Sequence, residues 1–280
     1  MKLVSFIHGG RRQIGELLDG EVCVLSVPDM VELIEQTPEP STFETGSILK
    51  LKDVQLLAPI PRPRKNIFCV GLNYSDHVAE GNRTFGRDVS SQDVPVFFTK
   101  PPTAVVPPGG DILLHRGVSE QLDWEVELGV VIGAECRDVT PETALGYVFG
   151  YTIVNDVTSR DIQSRHRQWF KGKGLDGSCP IGPCILTADE VPDPQQLQLA
   201  CRVNGVEKQS ASTAQMIFDV ATIISVLSQG LTLEPGDIIA TGTPSGVGFA
   251  RTPPEWLKDG DLVESEVSGI GVLTNRVRAV

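Results

Sequence analysis

Two glutamates, two residues apart, lead straight into an apolar stretch: Trp124-Glu125-Val126-Glu127-Leu128-Gly129-Val130-Val131-Ile132. A run of this composition and length reads as a strand buried on both faces. Side chains alternate across a strand, so Glu125 and Glu127 share one face, while Trp124, Val126 and Leu128 share the other. Adjacent buried carboxylates repel each other and lose their hydration, so the fold must bring a cation or keep a proton there. A divalent cation meets that need, because carboxylate oxygens suit Mg²⁺, Mn²⁺ or Ca²⁺. A strand end left in solvent meets it as well.

A second segment, Tyr151-Thr152-Ile153-Val154-Asn155-Asp156, is again an apolar strand that ends in an acid. The spacing after it predicts a helix start over 157–163. Asp156 therefore stands where a strand meets a helix, the place of an N-cap or of a carboxylate turned towards a cleft. Three carboxylates exceed one divalent ion by one negative charge, so cations are expected nearby. Lys171 and Lys173 follow in Lys171-Gly172-Lys173-Gly174.

The rest of the chain reads as strands and turns. Lys2–Ile7 alternates, Gly9-Gly10 is a turn, and Ile14–Leu25 alternates weakly around Asp19-Gly20, with a short helix over Met30–Glu35. The prolines in Ala58-Pro59-Ile60-Pro61-Arg62-Pro63-Arg64-Lys65 exclude helix and central strand, so this stretch is a stiff extended linker. A boundary there divides the chain into a small N-terminal β domain, 1–61, and a larger domain, 62–280. The larger part carries strand-like runs at Asn66–Val70, Val94–Thr99, Glu125–Ile132, Tyr151–Asn155, Gln198–Val203 and Asp237–Thr241. One helix, Ala214–Leu227, has Met216, Ile217, Val220, Ile223, Ile224 and Leu227 at helical spacing. The fold class is α+β, dominated by strands.

Charge excludes some functions. Thirty-six acidic against 24 basic residues give a net charge of −12, which argues against nucleic acid or an anionic membrane as partner. No apolar run approaches the roughly 20 residues needed to span a bilayer, and the start lacks the pattern of a signal peptide. The expected location is cytoplasmic. Six cysteines, at 23, 69, 136, 179, 184 and 201, are scattered without a Cys-x-x-Cys pair and are expected as reduced thiols. Cys179 and Cys184 lie near two prolines with no second pair following, so a zinc site is not expected there.

The chain resembles the fumarylacetoacetate hydrolase superfamily, and within it the smaller acylpyruvate hydrolase, oxaloacetate decarboxylase and 2-hydroxyhepta-2,4-diene-1,7-dioate isomerase members. The resemblance runs over about residues 65–278. It rests on segments in the family's order: Gly71-Leu72-Asn73-Tyr74-Ser75-Asp76-His77, Phe98-Thr99-Lys100-Pro101, Asp123–Leu128, Asn155–Gln163, Lys171–Asp176, Pro180-Ile181-Gly182-Pro183 and Thr241–Gly248. It implies a rolled, mixed β-sheet core behind a small N-terminal β domain, as a homodimer. It implies metal ligands at Glu125, Glu127 and Asp156, with Mg²⁺ or Mn²⁺ as cofactor.

The same resemblance implies a catalytic pair, His77 and Glu80, and an active-site lysine, Lys173. Read from the residues, Ser75 is a plausible N-cap, and His77 and Glu80 lie three apart on one helix face, either as a base and its orienting acid or as a solvated face. Asp76–Asp93 is polar and could form a lid. Arg160 and Gln163 match positions near the substrate, although Arg160 fits an ion-pair role equally. Thr243 sits in a Gly/Pro-rich loop able to hold a carboxylate, and the loop lacks the spacing of a dinucleotide or P-loop fingerprint. Tyr74 either reaches the pocket or packs beside His77. His166, in Arg165-His166-Arg167, reads as a surface or rim residue.

These expectations combine into a metal-dependent hydrolase that cleaves a carbon–carbon bond of a 1,3-diketo acid, of acylpyruvate or fumarylpyruvate type, through a metal-stabilised enolate. The same intermediate serves a decarboxylase or an isomerase or tautomerase of a 2-oxo diacid, the first alternative. A non-catalytic binding protein on this fold is the second. In each case the partner is a small 2-oxo or diketo acid.

Overall fold

The N-terminal strands β1 (Lys2–His8), β2 (Arg11–Leu18), β3 (Glu21–Leu25) and β4 (Thr45–Lys50) form an antiparallel meander. Its first two turns are the pairs anticipated from sequence. Gly9, Gly10, Asp19 and Gly20 all have positive φ (56°, 76°, 45° and 82°), the mirror-image turn geometry that matches the twist of a hairpin. The computed structural model describes residues 1–36, 45–85 and 93–280. Helix α1 (Met30–Gln36) buries Met30, Val31, Leu33 and Ile34, as its short apolar pattern predicts.

Beyond the prolines the chain builds β5 (Ile67–Gly71), α2 (Ser75–Phe85), β6 (Val96–Lys100), β7 (Val126–Ile132), β8 (Val148–Asn155), α3 (Arg160–Arg165), α4 (Phe170–Lys173), β9 (Cys179–Thr187), α5 (Val220–Ser228) and β10 (Ile238–Ala240). The main sheet runs in the order β4-β3-β2-β1-β9-β8-β7-β10-β5-β6. It is mixed, since β10 lies parallel to β5 and antiparallel to β7. The meander is hydrogen-bonded to this sheet through β1, where Lys2 pairs with Leu186 and Leu3 with Ile185 of β9. A second, five-stranded sheet has the order Val206–Ser212, Gln198–Val203, Leu262–Val267, Gly271–Ala279, Asp111–Leu114. The fold is thus strand-dominated α+β with a mixed sheet core.

Every residue of β7 and β8 is buried. Trp124, Val126, Leu128 and Val130 pack into one apolar cluster, whereas Val131 belongs to another with Cys69, Val154 and Ile181. The alternation read from sequence therefore holds, and Glu125 and Glu127 lie on the face away from Trp124.

Two helix boundaries differ from the sequence reading. The helix anticipated over 214–227 starts at Val220, because Asp219 caps it by accepting the Thr222 amide at 2.7 Å. The residues before it are drawn to Asn73 instead: the Ile217 and Phe218 amides donate to its backbone and side-chain oxygens, and Met216 bridges Tyr74. The helix anticipated from residue 157 starts at Arg160, since Thr158–Ser159 first pairs with Leu122–Asp123. All six cysteines are free thiols. No described helix is long and apolar enough to cross a membrane.

Candidate active site and metal centre

Antiparallel pairing of Val126 with Asn155 sets the end of β7 against the end of β8, and the Asp156 amide donates to the Glu125 carbonyl at 2.8 Å. Register alone therefore brings Asp156 beside the two glutamates. Oxygens of Glu125, Glu127 and Asp156 lie within 4.8 Å of one another, and all three residues are buried. This is the single group of three or more potential metal-ligating residues among the described residues. Its all-oxygen donor set suits a hard divalent cation, the kind of ion these side chains could hold.

Asp156 is no N-cap. One carboxylate oxygen accepts from Lys100 Nζ at 2.7 Å and the other from Lys173 Nζ at 2.6 Å. Lys173 Nζ also donates to Glu125 at 2.8 Å and to the Thr158 hydroxyl at 2.9 Å. Burial alone would lower the Lys173 pKa, but Asp156 and Glu125 outweigh it and push the pKa up, so the ammonium stays charged. Of the two lysines expected near the acids, Lys173 is there and Lys171 is exposed. The second buried lysine is Lys100, held also by the Val157 and Lys173 carbonyls. Lys100 is not among the residues expected here from sequence, although it lies in a landmark segment; the surplus negative charge is the signal that points to a further cation.

Arg160 is the third buried cation. Its Nε donates to Asp123 at 2.8 Å, its other end pairs with Glu125 at 2.7 Å, and its guanidinium lies 4.5 Å from the centre of the Phe249 ring. Both readings of Arg160 meet here, for it is ion-paired and it lines the cavity with Gln163, whose carbonyl accepts from it. Burial would raise the Glu125 pKa; Lys173, Arg160 and His77 override it and hold the carboxyl at about 2. Glu127 differs. Burial, then Asp156 and Glu125, push its pKa well up, with the Gly242 amide at 2.7 Å as a partial counterweight.

The Gly/Pro-rich loop after β10 holds carboxylates, as its composition suggested, but they are the protein's own. The Gly242 amide binds Glu127, the Gly246 amide binds both Glu80 oxygens (2.9 and 3.1 Å), and the Gly248 amide binds Asp123 at 2.7 Å. Gly242 has φ +99°, and an added Cβ would stand 2.8 Å from the Asn73 Cβ, so a glycine is required where the chain turns to meet Glu127. Thr243 is committed internally: its hydroxyl donates to the Val126 carbonyl and accepts from Gln209.

His77 and Glu80 share one face of α2, with Nδ1 and Oε2 3.5 Å apart. His77 Nδ1 is buried without a hydrogen bond, and its ring meets Phe249 edge-on. Residues 86–92 of the anticipated lid lie outside the described residues. A cavity of about 430 Å³ opens over the acids. Its wall includes Glu125, Glu127, Lys173, His77, Arg160, Gln163 and Thr243. Tyr74 lies instead on a small neighbouring cavity, with its hydroxyl buried and unpartnered.

The family described as fumarylacetoacetate (FAA) hydrolase C-terminal matches residues 66–278. The chain belongs to this family. Oxaloacetate tautomerase YisK of Bacillus subtilis (strain 168) is 46% identical over 247 residues, covering 88% of this chain and 80% of that protein. The human mitochondrial oxaloacetate tautomerase FAHD2A is 42% identical over 232 residues, covering 82% and 71%. Among solved structures, fumarylacetoacetate hydrolase from Exiguobacterium antarcticum matches with a TM-score of 0.86 at 42% identity over the full length of both chains. A 2-hydroxyhepta-2,4-diene-1,7-dioate isomerase from Mycobacterium marinum matches at 0.79 and 36%, covering 100% and 98%. The family is one of enzymes, and the two tautomerases and the isomerase among these relatives favour the tautomerase or isomerase alternative over carbon–carbon hydrolysis, while the Exiguobacterium protein carries the hydrolase name.

Proposed function

We propose that this protein is a divalent-metal-dependent tautomerase or isomerase of a 2-oxo diacid, with oxaloacetate as the first substrate to test. Hydrolysis of an acylpyruvate or fumarylpyruvate is the second reading. The observation that carries the proposal is the buried meeting of Glu125, Glu127 and Asp156 under a cavity, in a chain whose relatives are named oxaloacetate tautomerases. The reading takes those three residues as ligands of Mg²⁺ or Mn²⁺, and includes a homodimer, a cytoplasmic location and a division of the chain at 61/62.

The ion, when bound, supplies a Lewis acid for the oxygens of a 2-oxo acid and for enolate charge. The protein's own groups do the rest. Four buried carboxylates (Asp123, Glu125, Glu127, Asp156) face three buried cations (Lys100, Arg160, Lys173). With a doubly charged ion held there, that balance would be positive and would favour an anionic substrate. Tautomerisation breaks a C–H bond beside the 2-oxo group and places a proton on the 2-oxygen. His77, with Glu80 beside its Nδ1, takes the carbon-bound proton and passes it to the 2-oxygen, and runs the same transfer in reverse. Lys173 stays protonated and steadies negative charge rather than acting as base. Arg160, Gln163 and Thr243, which line the main cavity, form the substrate-binding set; Tyr74, on the neighbouring cavity, does not belong to it.

The test follows enol absorbance in freshly dissolved oxaloacetate. Equilibration faster than in buffer, without release of CO₂, supports the tautomerase. Acid release from an acylpyruvate as the sole turnover supports the hydrolase, and metal binding without any turnover supports a binding protein. His77→Ala should slow proton transfer about 10³-fold while metal affinity, read by calorimetry, stays level.

A further inference from the structure

The cavity changes character with depth. Its floor is charged and buried, with Glu125 at 4%, Glu127 at 1% and Lys173 at 3% exposure. Phe98, Trp169 and Phe249 give the cavity an apolar wall. The exposed lip is basic: Arg165, His166 and Arg167, from the end of α3 and the bend that follows, also line the cavity. This lip is out of keeping with a chain of net charge −12. Between residues 160 and 173 stand Arg160, Arg165, Arg167, Lys171 and Lys173, with Asp161 the single acid. Arg160 and Lys173 are neutralised by buried carboxylates. Among the described residues, Arg165 and Arg167 have no acidic partner.

We infer that Arg165 and Arg167 form a subsite for a second carboxylate, so that the cavity selects 2-oxo acids carrying a distal acid beyond an apolar spacer. The inference rests on the 2-oxo diacid reading above and deepens it. A fixed metal-binding head at the floor and two guanidinium groups at the lip read the length of a diacid as well as its charge. A volume of about 430 Å³ falls within the range of roughly 300–1,000 Å³ typical of small-molecule sites. Oxaloacetate, with one methylene between its oxo carbon and distal carboxyl, fills a fraction of it. Longer diacids span floor to lip.

The experiment is calorimetric titration of the Mg²⁺-loaded protein with pyruvate, with saturated 2-oxo diacids of two, three and four methylenes, and with 2-oxo monoacids of the same chain lengths. Wild type should prefer the best diacid over its matching monoacid by about tenfold or more, and added salt should narrow the gap. The double variant R165Q/R167Q should abolish the preference, R165K/R167K should keep most of it, and R165E/R167E should reverse it. Both positions are exposed, so none of these changes disturbs a core. An unchanged diacid-to-monoacid ratio in R165Q/R167Q, or no preference in wild type while pyruvate binds, overturns the subsite alone. Failure of pyruvate itself to bind overturns the reading beneath it, and the subsite falls with it.

Discussion

The meander β1–β4 and the central pair β7–β8 belong to one hydrogen-bonded sheet, yet they are held together by opposite means. In the meander the buried side chains are apolar, namely Leu3, Val4, Phe6, Ile14, Val22, Val24 and Leu25, with Ser5 as the buried polar exception, its hydroxyl donating to the Pro59 carbonyl. At the inner end of β7–β8 the buried side chains are ionic, and seven charged groups share a few ångströms of interior. Stripping water from such groups costs several kcal/mol each, and pairing them returns little beyond that. An apolar filling of the same volume would stabilise at least as well. The meander is thus built for stability, while the centre spends stability to hold carboxylates close together.

The comparison predicts a clean separation of phenotypes. Glu127→Ala in the centre should lose metal affinity and turnover together, by about 10³-fold in turnover. Chelation of the wild-type protein should do the same, and Mg²⁺ or Mn²⁺ should restore it. Full turnover after chelation would break the metal-centred account. Phe6→Ala in the meander should cost about 4 kcal/mol of stability, measured by urea unfolding, and leave kcat per folded molecule unchanged. Lys100→Met sits between the two. It leaves Asp156 with one cation fewer in a site sealed from solvent, and should cost about 3 kcal/mol as well as lowering turnover. A Lys100→Met protein as stable as wild type would mean that Asp156 does not need its second partner.

The two regions were also unequally legible. The turns Gly9-Gly10 and Asp19-Gly20, helix α1 and the buried strand after Glu127 follow from local chemistry: positive φ at glycine, helical spacing, alternation. Glu125 and Glu127 announced themselves because acids beside a buried strand need an explanation. Asp156 followed because strand ends present side chains. Lys100 did not, since nothing local distinguishes a lysine before Pro101 from a solvated one; its role is set by β6 lying across the sheet from Asp156. Apolar periodicity extends back to Met216 and so predicts an earlier helix start than Val220; only the distant Asn73 takes the intervening amides away. The composition of the loop 241–248 marks it as a carboxylate holder, but which carboxylates it holds is a matter of tertiary position.

A smaller effect sharpens the contrast further, because only the centre should make stability depend strongly on pH. In chelated protein, Glu127 has a folded pKa well above its ordinary value of 4.5, for want of solvent and because Asp156 and Glu125 lie beside it. Its contribution is therefore full below about pH 4.5 and lost as pH rises towards the folded pKa. Glu125 has the reverse sign: held at about 2, it contributes stability above its ordinary 4.5 that is lost as pH falls towards 2. Each linkage changes stability by at most about 1.4 kcal/mol per pH unit. Urea midpoints of the chelated protein should thus decline on the alkaline side, and Glu127→Gln, which keeps an acceptor for the Gly242 amide, should flatten that decline. Phe6→Ala should lower the whole curve without changing its slope. If Glu127→Gln left the slope intact as well, the charge tension assigned to the acid cluster would have to lie elsewhere in the sheet, and the contrast between its two regions would lose its electrostatic basis.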